Sequence, residues 1–211
     1  MLPKFGWAAN LIRRRASNKN SDRGVYPLLR ADPHLIFVRC SHYGEYDMKS
    51  YPKLRDMLDQ VGKEAEAARK QSRQRIRTTQ DLEVASPLEG VYWIETNMPI
   101  AEIVSAVKET TRKGLRVRCT KPEGIGFTRP DANEFQVIYI GTQNNIRKRL
   151  SEHLFNTGSP KTGKLRCQIN HERFSRYEWY FSQCEINHYS IRYAVESWWR
   201  LNIGWPPFCI R

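Results

Sequence analysis

Apolar and polar positions follow two different periods along the chain. The compact apolar run Gly90-Val91-Tyr92-Trp93-Ile94, bounded by Gly90 and by Asn97 and Pro99, predicts a strand. Phe135 to Ile140, closed by Gly141, predicts a second, and Tyr177 to Cys184 a third. His34 to Cys40 has the β-branched and aromatic content of a short strand, and Leu115 to Cys119 reads as another. Between these runs the period lengthens to that of a helix. Tyr51 to about Thr78 is read as one helix, with Pro52 in its first turn and Leu54, Met57, Leu58 and Val61 forming a buried stripe. Further helices are predicted over 99–113, stopped by Gly114, over Asn144 to Phe155, and over Tyr189 to Asn202 ahead of Gly204-Trp205-Pro206-Pro207. A short helical stretch precedes the third strand, and residues 120–134, with two glycines and two prolines, read as loop.

This order of elements predicts an α/β fold: a small, mostly antiparallel central sheet flanked by helices, preceded by a basic helical N-terminal region. Turn chemistry at Ser86-Pro87 suggests a boundary, giving an N-terminal arm and helix over 1–85 and a main domain over 86–211.

Charge adds a partner class to that picture. The 211 residues carry 35 Lys+Arg and 22 Asp+Glu, a formal net charge of +13. Residues 1–80 hold 17 basic and 8 acidic side chains, so most of the surplus lies in the N-terminal region. Such a surplus favours a polyanion, because Lys and Arg on phosphates release condensed counterions. Beyond Val61 the first helix carries Arg69, Lys70, Arg73 and Arg77, a set that could lie along a DNA backbone or form a solvated face. Five scattered cysteines without a CxxC pair argue against a disulfide framework or zinc ribbon and for a reducing, cytoplasmic setting. No apolar run reaches the ~20 residues that span a bilayer, so no membrane partner is expected. A mitochondrial presequence shares the acid-poor, Arg-rich composition of the first 21 residues, but a flexible basic arm is the favoured reading.

The ordered features Gly90-Val91-Tyr92, Tyr139-Ile140-Gly141, Arg149, His153 and Glu196 resemble the GIY-YIG nuclease family over residues 90–211. The tripeptide alone carries no weight, since a second copy, Gly24-Val25-Tyr26, stands in the arm without the other features. The resemblance implies a DNA endonuclease, restriction-like or from a mobile element, that uses Mg²⁺ or Mn²⁺ held by Glu196. Tyr92 would orient or deprotonate the attacking water, with Tyr139 beside it. Arg149 would stabilise the transition state, with His153 one helical turn away. A DNA-binding protein that has lost cleavage and an RNA-directed nuclease remain as alternatives, and a dimer is compatible with the sequence.

Phosphodiester hydrolysis calls for the same residue types: a nucleophilic water, cations on the phosphoryl oxygens and help for the leaving oxygen. Helical spacing sets Arg149 and His153 on one face. It does not separate Arg147 from Arg149, since both border the Ile146–Leu150–Leu154 stripe; the spacing from Tyr139 and the His153 partner favour Arg149. Lys161 and Lys164 could contact phosphate or lower the Tyr92 pKa, or be solvated loop lysines, and Tyr92 and Tyr139 could be core aromatics. Two departures from the family stand out. Cys209 occupies the place of a closing asparagine, with Asn202 poorly placed as a substitute. In addition, 47 residues separate the two signature tyrosines. The separation implies either an inserted element at about 97–134 or a first strand at Gly124-Ile125-Gly126-Phe127; the stronger strand signal of GVYWI favours the insertion.

Overall fold

The computed structural model describes residues 52–115, 117 and 121–209. The basic arm, the strand predicted at 34–40 and most of the one at 115–119 lie outside these residues. Four strands form one antiparallel sheet: β1 (Gln74–Ile76), β2 (Gly90–Thr96), β3 (Gln136–Gln143) and β4 (Trp179–Glu185), in the order β1-β4-β2-β3. Among the described residues five α-helices accompany them: α1 (Pro52–Gln71), α2 (Ile100–Thr111), α3 (Ile146–Leu154), α4 (Glu172–Ser175) and α5 (Tyr189–Asn202). The protein is therefore α/β, with a four-stranded antiparallel sheet and flanking helices.

The apolar run of β2 follows from its central place. Every residue from Gly90 to Thr96 is buried, because both faces of the sheet are covered. Tyr92 and Ile94 pack with Ile103 and Val107 of α2, Leu150 and Leu154 of α3 and Phe174 of α4. Val91 and Trp93 point the other way, against Ala65 of α1 and Val195 and Trp199 of α5. Residues 97–135 join the paired strands β2 and β3 and contain α2. Gly124 to Phe127 is not a sheet strand; it makes a single parallel bridge, Phe127 to Trp205.

Two expectations for the N-terminal part need correction. The first helix ends at Gln71, and Gln74–Ile76 is β1, whose ladder pairs with β4 and buries Ile76. The stripe is also displaced: Leu54 and Met57 are 50% and 64% exposed, whereas Gly62 and Ala65 are buried. The cause is the bulk of the facing tryptophans. A β-carbon on Gly62 would fall 2.0 Å from the Trp198 ring, so only small residues allow the helices to meet. Trp198 Nε1 donates to Asp59 at 2.8 Å and Trp199 Nε1 to Glu66 at 2.7 Å, which fixes the docking. Helix α1 and β1 belong to the same compact unit as the rest of the sheet.

Candidate active site

The site begins with two glycines that make room for aromatic rings. In the β2–β3 ladder Tyr92 lies opposite Gly141. A β-carbon at Gly141 would stand 2.8 Å from the Tyr92 hydroxyl and 2.9 Å from Tyr139 Cε1. Glycine there lets both rings share one face, their centroids 6.0 Å apart. Gly90 is equally constrained, since its β-carbon would meet the Cys184 carbonyl at 2.2 Å. The glycines of both signature tripeptides are thus dictated by packing at the strand positions they occupy.

Helix α3 brings the next two groups. Asn145 caps it, its side chain accepting from Lys148 N–H at 2.8 Å. The buried Ile146, Leu150 and Leu154 set its rotation, and the same rotation buries His153 against the tyrosines. His153 Nε2 lies 3.1 Å from the Tyr92 hydroxyl, and its ring centroid 4.5 Å from that of Tyr139. Its Nδ1 accepts the Leu165 backbone N–H at 3.0 Å. Burial, helped by the charges of Arg149 and Lys164, holds its pKa well below the usual value, so the ring is neutral. Burial drives the Tyr92 phenol well above its usual range, and the Arg149 guanidinium opposes that shift.

Arg149 is fixed at both ends of its guanidinium. One nitrogen donates to Glu152 at 2.5 Å and the other to the Gly163 carbonyl. Arg147, two residues earlier, points away and donates to the carbonyls of Ala85 at 2.8 Å and Glu83 at 2.7 Å. The two arginines that helical spacing leaves equivalent therefore have separate tasks in this structure.

Glu196 approaches from α5, which packs on the sheet face opposite α3, and reaches edge strand β3 beside Tyr139 and Thr142. It is 9% exposed, and Arg200 holds one of its oxygens. Burial raises its pKa, while Arg200 and a hydrogen bond from Thr142 counter the rise. Tyr139, on the edge strand, packs against both core clusters and joins the two sides. Burial raises its pKa, with the nearby Cys209 and Glu196 adding to the rise. Cys209 replaces any asparagine contact with one of its own: Sγ lies 3.3 Å from Ile140 N and 3.2 Å from Ile140 O. Asn202 is exposed and turns back to the Trp198 carbonyl.

The other predicted contacts divide into exposed and internal groups. Arg69 pairs with Glu66 and Glu95, and Arg73 pairs with Glu95 while stacking on Tyr180, so both charges are used inside the protein. Lys70, Arg77 and Lys161 are exposed. Lys164 is buried, its ammonium on the carbonyls of Asn156, Thr157 and Gly158. Sequence reasoning missed Glu152 and the backbone groups of Gly163 and Leu165. The spacing of Arg149 and Glu152 is a local signal for the first, but a backbone donor twelve residues away leaves none for the second.

Among the described residues no three His, Cys, Asp or Glu side chains gather as a metal cage, and no helix is long and apolar enough to cross a membrane. Comparison with protein-family models, curated proteins and solved structures gave no match.

Proposed function

We propose that the protein is a metal-dependent endonuclease of the GIY-YIG type that hydrolyses DNA. The observation that carries this reading is the convergence of Tyr92, Tyr139, Arg149 and His153, from two strands and one helix, on one face of the sheet. A hydrolase for phosphodiesters needs a cation that can bond two phosphoryl oxygens, and Arg149 supplies a guanidinium already anchored for the purpose. The Tyr92 oxygen receives the His153 N–H, and the Tyr139 phenol and the Arg149 guanidinium complete its polar surroundings. Loss of the Tyr92 proton to bulk water would leave a phenolate that the His153 N–H and the Arg149 guanidinium stabilise against the burial that opposes it.

Glu196 suits Mg²⁺ or Mn²⁺ as a single protein ligand, since such ions keep several waters and need only one or two carboxylates. An ion held there would supply charge neutralisation on the phosphoryl group and a more acidic bound water. Arg200, already on the Glu196 carboxylate, favours a second reading: a DNA-binding protein that no longer cleaves.

Supercoiled plasmid incubated with the protein and Mg²⁺, with and without chelator, separates the two. Nicking that requires metal and disappears in Glu196→Ala, with DNA affinity retained, is the expected result. Binding without nicking under any divalent ion would establish the second reading. Cleavage of RNA in preference to DNA would move the activity to the other nucleic acid.

A further inference from the structure

Three consecutive residues tie the candidate site to a second feature. The Gly163 carbonyl accepts from Arg149, and the Leu165 N–H donates to His153 Nδ1. Lys164, between them, lines a cavity of about 220 Å³. The cavity is bounded on one side by Asn156, Gly158 and Pro160, and on the other by Thr111 and Lys113, just beyond α2. Arg166 completes the lining. Helix α2 ends on Arg112 at φ 55°, a left-handed turn that sends the chain back and leaves Lys113 at the cavity.

The lining carries three cations and no carboxylate. Burial lowers the Lys164 pKa, Arg166, Arg149 and Lys113 lower it further, and only Glu152 opposes. Cations held this close repel one another unless an anion relieves them. Lys164 directs its protons to backbone carbonyls and so contributes charge, whereas Lys113 is exposed and Arg166 half-exposed, with donors available.

We propose that this cavity is an anion subsite that takes a backbone phosphate of the nucleic-acid strand, flanking the phosphate held at Arg149 and Tyr92. The inserted element between β2 and β3 then has a task, which is to carry Lys113 to the strand. This assignment rests on the nuclease reading. Inorganic phosphate, which lacks sugar and base, tests the cavity separately from that reading.

Calorimetric titration of the full chain with inorganic phosphate should show saturable binding. It should be abolished in Lys113→Gln/Arg166→Gln and in Lys113→Glu, and kept in Lys63→Ala, an exposed lysine on α1. For a duplex without metal, the slope of log K against log salt should fall by about 0.9 in the double variant, the share of the one phosphate that is no longer neutralised. No phosphate binding in the wild type, or equal binding in the double variant, would overturn the subsite. Phosphate binding that the variants abolish, with no affinity for DNA or RNA in the wild type, would leave an anion site and overturn both its assignment to nucleic acid and the nuclease reading.

Discussion

His153 Nε2 donates to the Tyr92 hydroxyl across 3.1 Å, because the Leu165 N–H occupies Nδ1 and fixes the tautomer of a neutral ring. Nitrogen NMR should therefore show His153 as the Nε2–H tautomer, and an Nδ1–H ring would remove the hydrogen bond to Tyr92. The depressed pKa also links stability to pH. Unfolded, the ring binds a proton below about 6.5; folded among Tyr92, Tyr139, Arg149 and Lys164, it does so only at much lower pH. The unfolded state holds more protons in this window, so stability falls as pH drops below about 6.5, by up to roughly 1.4 kcal/mol per pH unit. Denaturant midpoints between about pH 5 and 6.5 should fall more steeply for wild type than for His153→Gln. Equal slopes would show that other groups carry the effect.

Gly141→Ala tests the steric account of the tyrosine pair. Its new methyl would lie 2.8 Å from the Tyr92 hydroxyl and 2.9 Å from Tyr139, so a ring or strand must move. A stability loss of about 1–3 kcal/mol is expected from overpacking, with cleavage falling further than stability explains. A variant with wild-type stability and activity would mean that the rings have slack the packing does not show.

The two arginines of α3 should separate in different assays. Arg149→Lys should keep DNA binding but slow single-turnover cleavage by about 10²-fold or more, the scale of losing a transition-state donor. Arg147→Lys gives up its hold on the Glu83 and Ala85 carbonyls, so stability should drop by about 1 kcal/mol while cleavage changes little. Reversed effects would relocate the functional cation to Arg147.

Glu95 is 5% exposed and counters both Arg69 and Arg73. Glu95→Ala leaves two guanidinium groups without their shared partner, and a loss of about 3 kcal/mol in denaturant unfolding is expected. Little change would show that Glu66 and solvent suffice for the pair. Arg69→Ala should likewise cost stability and leave the salt dependence of DNA binding unaltered, because that charge is already neutralised inside the protein.

The sheet-forming runs and the long helices after residue 90 are legible in the chain itself, as is the ordered set Tyr92, Tyr139, Arg149, His153 and Glu196. Local signals suffice there: the centre of β2 is buried on both faces and so reads as an unbroken apolar run from Val91 to Ile94, and α3 and α5 carry their stripes at helical spacing. Other features depend on neighbours that only folding supplies. Gln74–Ile76 is a strand because β4 offers an edge to pair with, and Arg69 and Arg73 are internal because Glu95, remote in sequence, neutralises them. The division of labour between Arg147 and Arg149 likewise depends on acceptors in distant loops. So does the hydrogen on His153 Nε2, since a backbone N–H twelve residues away reaches Nδ1 only once the chain has folded back along α3.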